Sequence, residues 1–508
     1  MSDNTLTQKS PRSSFSSSIV KNKENILAFL VSGLFALIFA FESCINPWLK
    51  IEAWTDSSVF KTVALMMERG YMPYRDSFDH KGPVLYFINF LGNKIDLYSG
   101  VLLIEVIAIT ITFFVMYKIS RLSCGIIASL VTTLTASSLL FAYYESGNYS
   151  EEFAMPCIAI ALYIFIDYLL NNKISKLRLI ASGICLGTVL MLRPNMISVW
   201  IVYCVLILVV LLIKKEFKKL GGFVSFFFIG VAVVIVPILI WLIAKDDLEY
   251  FINDYIIFNM KYISSGGDRN LFYTKWGAFF KFARSSIYVI AFVSILFHLK
   301  QKKVLNISYL IYLVFTVMLM VMSGEQYGHY GMILVPAVVY PISLAFSTVE
   351  KIKEIEISRA IIILASLYLF SAAIAPEWIE TISTIPEIFE KRNEDHFDED
   401  TRDIINIIEM NTDKDDKISV YGNWDLLYVT TNRAHATRYS YQFPVGQVMP
   451  EIMDEYFKSL KNEKPSIIVV QNGYYDEDIQ TFLEKNAYEM IYSSNPDNPE
   501  ASHMVFSR

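Results

Sequence analysis

Apolar runs of about 20 residues recur along most of this chain, and they constrain its fold more than any other feature. A helix of about that length crosses the hydrocarbon core of a bilayer. Hydrophobic residues make up 54% of the 508 residues and charged residues 19%, whereas soluble domains carry about 25% charged residues. The chain is therefore predicted to be a polytopic α-helical membrane protein.

The runs predict about eleven transmembrane helices, from Ile26–Ile45 to Ala360–Ala375. Val84–Ile95 is apolar but too short to span, so we expect an interfacial or re-entrant helix opened by Pro83. Clusters of Lys and Arg follow alternate runs, on the side of the N-terminal tail, and the positive-inside rule makes that side the cytoplasm. The chain is thus predicted to lie in the plasma membrane, with its N-terminus in the cytoplasm and its C-terminal region on the outer side.

Composition divides the chain into three parts. Residues 1–24 are rich in Ser, Thr, Asn and Lys and are predicted to form a disordered cytoplasmic tail. Residues 25–376 carry the spans, and residues 377–508 are predicted to form a small α/β extracytoplasmic domain. Within that domain Lys417–Tyr421 and Ser466–Val470 have the length and composition of strands.

Charge and cysteine usage exclude several function classes. The net charge is −6, so no nucleic-acid partner is predicted. The five cysteines lie in or beside predicted spans without CxxC spacing, which argues against a disulfide framework and against a zinc site. No P-loop or GxGxxG pattern is present, so the sequence points to no nucleotide cofactor.

The loop between the first span and Val84 is unusually rich in ionisable side chains. Residues 46–83 are predicted to form the first outer loop, and their charge is costly between membrane spans unless it faces water or a site. We therefore expect most of the active site in this loop, with the candidate residues Asp56, Asp76, Asp79, His80 and Lys81.

Further candidates are predicted on the same membrane face. They are Glu151 and Glu152 in YYESGNYSEEF, Arg193 in MLRPNM, and His329 and Tyr330 in YGHYG. Carboxylates and cations that converge on one face can bind an anionic lipid headgroup together with a polar acceptor. The expected partners are therefore the bilayer, a lipid-linked donor and an acceptor.

In this order the segments resemble the GT-C superfamily of membrane glycosyltransferases. The similarity is to the branch of protein O-mannosyltransferases, aminoarabinose transferases and bacterial relatives, and its pieces are WTDSS, GYMPYRDSFDHKGPVLYFINFLG, ESGNYSEEF, MLRPNM and YGHYGMILVPA. The resemblance implies an inverting enzyme that takes a sugar from a polyprenyl-phosphate donor. The sugar would pass to a hydroxyl of a glycan, lipid or protein at the outer face of the membrane.

The resemblance also implies roles for the candidate residues. Asp56 matches the proposed general base, Lys81 the residue near the donor phosphate, and Asp79 a catalytic carboxylate near the acceptor or sugar. Relatives have an acid-Lys-Pro element where this chain has DHKGP, so His80 and Gly82 look like insertions. Fixed positive charge stabilises a leaving phosphate, which suits Arg193 and His329 as further donor-phosphate ligands. The remaining candidates are expected at the acceptor or sugar: Asp76, His80, Glu151, Glu152 and Tyr330.

Several alternatives stay open at this stage. Asp56 could serve as the N-cap of a helix that begins at Ser57. A divalent cation could be held by Asp56 with Asp76 or Glu151, and the sequence does not decide whether one is needed. A lipid-linked glycan ligase or polymerase would favour a large late outer loop, and a transporter would favour ionisable residues near mid-span.

Overall fold

The structure is a computed structural model of the whole chain. It describes residues 11–48, 56–97, 99–172, 174–264, 286–322, 327–352, 356–357, 360–361, 364, 375–393, 397–443, 445–498 and 501–508. Residues 1–10 of the predicted tail and most of the predicted last span, Ala360–Ala375, lie outside the described residues.

The described part of the first half of the chain is built from helices joined by loops and turns. Its helices are α1 Pro11–Ala40, α2 Asp56–Glu68, α3 Pro83–Ile95, α4 Gly100–Ser120, α5 Ile126–Ser137, α6 Ser150–Asn171, α7 Lys176–Leu190, α8 Ser198–Ile213 and α9 Phe217–Ala244. Pro83 opens α3 as expected, because a first-turn residue needs no N–H. Residues 11–24, expected in a disordered tail, belong to α1, since extending a nucleated helix costs little.

The second helical part includes short and irregular elements. They are α10 Leu248–Phe251, a π-helical turn Ile252–Phe258, α11 Asn259–Ser264, α12 Ser286–Phe297, α13 Lys303–Met320, a 3-10 turn Gly328–Ile333, α14 Leu334–Ala337, α15 Val339–Val349 and α16 Ala375–Glu390. A further 3-10 turn, Pro194–Met196, joins α7 to α8. These irregular turns lie where the polar candidate residues converge.

Six described segments are long and apolar enough to cross a membrane. They are Asn22–Ala40, Gly100–Ser120, Ser150–Asn171, Phe217–Ala244, Lys303–Met320 and Gly328–Val349. Three shorter apolar helices accompany them: Ile126–Ala142, Ser198–Ile213 and Ile287–Phe297. The chain is thus a multi-pass membrane protein, while the count of about eleven spans and the orientation of the termini stay predictions.

Residues 397–508, here called the C-terminal unit, contain a five-stranded mixed sheet with order β2-β1-β3-β5-β4. β1 pairs in parallel with β2 and β3, and β5 pairs antiparallel with β3 and β4. β3 is buried along its whole length, as expected for a strand covered on both faces. The elements are α17 Glu399–Asn411, β1 Lys417–Tyr421, α18 Leu426–Thr431, β2 Ala434–His435, α19 Val445–Val448, α20 Glu451–Glu463, β3 Ile467–Val470, α21 Glu477–Lys485, β4 Glu489–Ser493 and β5 Met504–Ser507.

The C-terminal unit packs directly on residues 69–82, here called the α2–α3 loop. Arg69 at its start donates through Nη2 to the carbonyl of Asn432, at 2.8 Å. Near its end, the backbone N–H of Phe78 donates to the carbonyl of Arg438, at 2.7 Å. The loop therefore lies between the helices and the sheet unit, and both fix its path.

Candidate active site

A cavity of about 670 Å³ opens where the α2–α3 loop meets the helix ends and the C-terminal unit. It brings together candidate residues from four separate stretches of sequence. Those on its wall are Asp56, Asp79, His80, Lys81, Arg193, His329 and Tyr330. The cavity thus unites the residues singled out for catalysis and for donor phosphate.

Lys81 projects into this cavity with carboxylates near it. Its Nζ lies 3.7 Å from Oδ2 of Asp56, and the Lys81 side chain is 13% exposed while that of Asp56 is 50% exposed. Burial opposes the ammonium charge, but Asp56 and Asp79 raise the pKa of Lys81 above its ordinary value. Lys81 is therefore a largely buried cation, and Asp56 is a carboxylate that solvent or a substrate can reach.

His80 lies next to this cation and stays neutral. The Lys81 ammonium donates to Nε2 of His80 at 3.2 Å, so the ring proton sits on Nδ1. Burial and the charges of Lys81 and Arg193 lower the pKa of His80 well below its usual range. Among the described residues Nδ1 of His80 has no hydrogen-bond partner, although it is buried.

Gly82 explains how Lys81 and Arg193 come close together. Its N–H donates to the carbonyl of Leu192 at 3.1 Å. A Cβ at position 82 would lie 2.0 Å from the carbonyl oxygen of Met191, so no larger residue fits. The glycine that looked like an insertion thus lets the α2–α3 loop lie against the end of α7.

Asp79 is held by two tyrosine hydroxyls. Tyr86 donates to its Oδ2 at 2.8 Å, and Tyr441 of the C-terminal unit donates to its Oδ1 at 3.0 Å. The residue is only 2% exposed, and this burial raises the pKa of its carboxyl above the ordinary value. Both carboxylate oxygens of Asp79 therefore already accept hydrogen bonds from other protein groups.

Arg193 forms a second buried cation on the cavity wall. It donates to the carboxylate of Glu151, and its guanidinium lies 4.0 Å from the centre of the Tyr330 ring. Burial opposes its charge, but Tyr330 and Glu151 raise the pKa of Arg193. The backbone is extended at Arg193, as expected for a residue before proline, and this turns the side chain away from α7.

A turn of four left-handed residues supplies another part of the wall. Glu145, Ser146, Gly147 and Asn148 have φ angles of 42°, 75°, 78° and 59°. This conformation costs about 1–2 kcal/mol for each residue with a side chain, so the surroundings must hold it in place. The turn delivers the Glu145 carboxylate to His329.

Glu145 fixes His329 with three hydrogen bonds. Its oxygens accept from the N–H of Gly328 at 2.7 Å, from the N–H of His329 at 3.1 Å and from Nδ1 of His329 at 2.8 Å. The imidazole also stacks on Tyr149, with ring centres 4.1 Å apart and planes 5° from parallel. Because Nδ1 is committed to Glu145, Nε2 is the ring nitrogen that can meet a ligand.

Three candidate residues do not line the cavity. Asp76 forms an ion pair with Arg75 at 2.9 Å and accepts from the N–H of Met72 at 2.7 Å. Glu151 is occupied by Arg193, and the fully buried Glu152 accepts from the N–H of Asn148 at 2.9 Å. The sequence located these acids near the site, but it could not show that their side chains bind other protein groups.

The carboxylates suggested as ligands for a divalent cation do not form a binding site in the described residues. No group of three or more His, Cys, Asp or Glu side chains there is close enough to hold a metal ion. Asp76 and Glu151, the partners suggested for Asp56, are each paired with an arginine instead.

Several residues on or beside the cavity carry no recognisable sequence signal. Tyr86 and Tyr441 hold Asp79, Tyr149 stacks on His329, and Asn259 donates to the carbonyl of His80 at 2.7 Å. Asn423 lines the cavity from the C-terminal unit. Each looks like an ordinary polar or aromatic residue in sequence, because its role depends on contacts with distant parts of the chain.

Comparison with known proteins places the fold. A family model described as "Putative competence-induced protein Ccs4 N-terminal domain" matches residues 18–360, which is more than half of the chain. The match covers the helical part of the cavity and stops before the C-terminal unit. No curated protein sequence matches the chain.

Two solved membrane proteins share its architecture. ArnT from Cupriavidus metallidurans bound to undecaprenyl phosphate has a TM-score of 0.60 at 12% identity, covering 95% of this chain and 97% of that one. Archaeal oligosaccharyltransferase AglB from Archaeoglobus fulgidus, in complex with an inhibitory peptide and a dolichol-phosphate, has a TM-score of 0.52 at 12% identity, covering 89% and 69%. At such identities the likeness shows the fold alone, and this fold agrees with the one expected from the resemblance.

Proposed function

This chain belongs to the Ccs4 N-terminal domain family, and we propose that it is an inverting membrane glycosyltransferase that uses a polyprenyl-phosphate-linked sugar. The observation that carries the proposal is the pairing, in one cavity, of an accessible carboxylate with buried cations. Such a site can take a proton from a hydroxyl and stabilise a leaving phosphate together. The shared fold with two proteins bound to polyprenyl-type phosphates adds support.

Asp56 is the general base in this proposal. Its side chain is 50% exposed and lines the cavity, so an acceptor hydroxyl can approach it. The acceptor oxygen attacks the anomeric carbon while its proton passes to the Asp56 carboxylate, and the bond from that carbon to the phosphate oxygen breaks. General base catalysis of this kind contributes about 10²–10⁴-fold to the rate.

Lys81, Arg193 and His329 receive the leaving phosphate. Both cations are buried, so their charges are little screened by water and act strongly on a phosphate in the cavity. The guanidinium keeps a fixed orientation between Glu151 and the Tyr330 ring, which limits the reorganisation needed when charge develops. His329 adds a hydrogen bond through the nitrogen that Glu145 does not occupy.

The cavity also has an apolar side suited to a prenyl chain. Isoleucine, leucine and methionine side chains line it from α8, α11, α13, the π-helical turn and the residues just outside α8 and α13, and several are partly exposed: Ile197, Ile201, Ile256, Met260, Leu319 and Met322. A phosphate bound by the cations would leave its lipid chain against this side, where burial of each methylene contributes about 0.8 kcal/mol.

The acceptor is proposed to enter from the side of the C-terminal unit. Asn423, Tyr441 and Val445 form that wall, and none of them carries a charge. Asp79 contacts Tyr441 of this wall, His80 contacts Lys81, and Tyr330 contacts Arg193, so the sugar ring is proposed to sit among these three side chains. A polar, uncharged wall suits a hydroxyl-bearing acceptor such as a glycan.

The ionisable residues within the spans do not favour a transporter. Glu105, in the second turn of α4, accepts from the hydroxyl of Ser43 at 2.8 Å. Asp167, near the end of α6, pairs with Arg178. Both acids are engaged near helix ends, whereas a transport pathway requires ionisable groups at the bilayer centre.

Donor turnover by the purified full chain tests the proposal. The protein in detergent would be given a panel of radiolabelled polyprenyl-phosphate sugars, with and without EDTA, and release of polyprenyl phosphate would be measured. We expect one donor to be consumed by the wild type, with Asp56→Asn and Lys81→Ala strongly impaired. The active donor identifies the sugar, and the EDTA arm reports any metal requirement.

Matched variants outside the cavity control for general damage. Asp246→Asn neutralises an exposed acid, and asparagine tolerates the left-handed backbone conformation at this position. Lys94→Ala removes an exposed lysine. Both should turn over the donor like the wild type. If no donor is consumed, with water or with crude membrane acceptors, while the liposome-reconstituted protein moves the lipid or sugar, the transporter reading replaces this one.

A further inference from the structure

The hydroxyl pair on Asp79 joins two parts of the molecule that are far apart in sequence. Tyr86 belongs to α3, within the part of the chain that the family match covers, whereas Tyr441 lies 362 residues after Asp79. Each hydroxyl donates to a different carboxylate oxygen, at 2.8 Å and 3.0 Å. One residue of the C-terminal unit is thus in direct contact with a candidate catalytic carboxylate.

The position of Tyr441 is itself tightly set. Three residues before Tyr441, the carbonyl of Arg438 accepts from the N–H of Phe78 at 2.7 Å. The following residue, Gln442, is fully buried; its side chain accepts from the N–H of Gly422 at 3.0 Å, just after β1. The sheet therefore holds the segment that carries Tyr441 against the α2–α3 loop.

We propose that Tyr441 is a positioning residue for sugar transfer, holding the Asp79 carboxylate in its ionised form and in a fixed orientation beside Lys81. The proposal deepens the proposed function and rests on it. In this arrangement the C-terminal unit completes the active site, in addition to any contact that it makes with the acceptor.

Elementary electrostatics explains why the hydroxyl matters. A buried carboxylate away from water needs hydrogen-bond donors to keep its charge, and a tyrosine hydroxyl supplies one without adding a competing cation. With both oxygens satisfied, Asp79 cannot rotate, so its charge acts on Lys81 from a constant position. Lys81 in turn is shared with Asp56, which links the geometry of the proposed base to Tyr441.

Tyr441→Phe tests the proposal because it removes the hydroxyl and keeps the ring. Tyr421→Phe is the matched control: its hydroxyl donates to the carboxylate of Asp476 at 2.7 Å, in the same unit but away from the cavity. We expect Tyr441→Phe to lower kcat/KM for donor turnover about 10- to 100-fold, as for loss of a hydrogen bond to a charged group. Tyr421→Phe should stay within about threefold of the wild type.

The pH profile separates positioning from packing. Without the hydroxyl the Asp79 carboxyl holds its proton to higher pH, so the acid limb of kcat/KM should move upward by about one pH unit. A ring that only packs would leave the limb in place, because phenylalanine packs equally well. The other ionisable groups around Asp79 are the same in the wild type and in Tyr441→Phe, so they do not account for a difference between the two pH profiles. They are Lys81, His80 and Tyr74 of the loop, Asp56 of α2, Tyr86 of α3, Asp254 of the π-helical turn, and Asp425.

Hydrogen exchange gives a second readout that does not depend on turnover. Amides of residues 77–81 should exchange faster in Tyr441→Phe than in Tyr421→Phe, since the loop loses its hold on the C-terminal unit. An unchanged acid limb together with unchanged exchange in this loop would overturn the inference. Failure of the wild type to consume any donor would instead count against the proposed function, and the exchange result would still decide whether Tyr441 holds the loop.

Discussion

The start of α2 and the end of the α2–α3 loop each bring one carboxylate near Lys81, but they hold it in different ways. Asp56 is half exposed, lies 3.7 Å from the ammonium and faces the cavity. Asp79 is 2% exposed, and its two oxygens accept from Tyr86 and Tyr441. The two acids look alike in sequence, but Asp56 is half exposed and Asp79 is enclosed.

This difference indicates which acid can act as a base. A base must offer an unoccupied oxygen to the hydroxyl that it deprotonates, within about 3 Å. Asp56 can do so, whereas Asp79 would first have to release a tyrosine hydroxyl. The contrast therefore supports the proposal that Asp56 takes the proton and that Asp79 supports Lys81.

The largest expected effect comes from exchanging each acid for its amide. Asp56→Asn should lower kcat about 10²–10⁴-fold while the thermal unfolding midpoint stays unchanged, because a half-exposed amide costs little. Asp79→Asn should lower the midpoint as well as the activity, since the tyrosine hydroxyls lose a charged acceptor, at a cost of about 1–3 kcal/mol. If Asp56→Asn unfolded the protein and Asp79→Asn lost activity without losing stability, the distinction between an accessible base and an enclosed carboxylate would be contradicted.

The next test concerns Arg193 and Glu151, because the carboxylate of Glu151, like that of Asp79, accepts hydrogen bonds from other protein side chains. Arg193→Gln leaves a buried carboxylate without its partner and should cost about 3–5 kcal/mol of stability. The double variant Arg193→Gln/Glu151→Gln removes both charges and should recover most of that stability. Donor binding should stay weak in both, and its recovery in the double variant would show that Arg193 supports the fold without binding phosphate.

The smallest effect concerns His435, which helps to fix the loop that carries Asp79. Its Nε2 lies 2.9 Å from the hydroxyl of Ser77, and burial lowers the pKa of His435 to about 4. An unfolded histidine titrates near 6.5, so the unfolded chain binds the extra proton between about pH 6.5 and 4 and stability falls as pH falls through that window.

The slope reaches about 1.4 kcal/mol per pH unit within that window. His435→Gln removes the titrating group, so its unfolding midpoint should depend less on pH there than that of the wild type. Thermal unfolding in detergent at several pH values measures the difference. Parallel curves for the two proteins would mean that His435 is not buried as a neutral ring.

The sequence predicted those features that depend on local pattern. Pro83 marked the start of α3, Lys417–Tyr421 was confirmed as a strand, and apolar runs indicated a multi-pass membrane protein. The two-residue strand β2 was missed because Ala434–His435 is too short to show a period. Asp56, Lys81, Arg193 and His329 line one cavity, as expected from their predicted place on one membrane face, whereas their roles came from the resemblance and stay proposals.

Hydropathy and residue pattern were enough to predict the membrane character of the chain, a helical part followed by an α/β part, and the polar stretches that build the cavity. These depend on hydropathy and periodicity, which neighbouring residues set together. The enclosure of Asp79, the accessibility of Asp56 and the position of Asp76 off the cavity became visible only in the folded chain. The reason is that solvation of a carboxylate depends on whichever distant groups reach it, here a tyrosine 362 residues away.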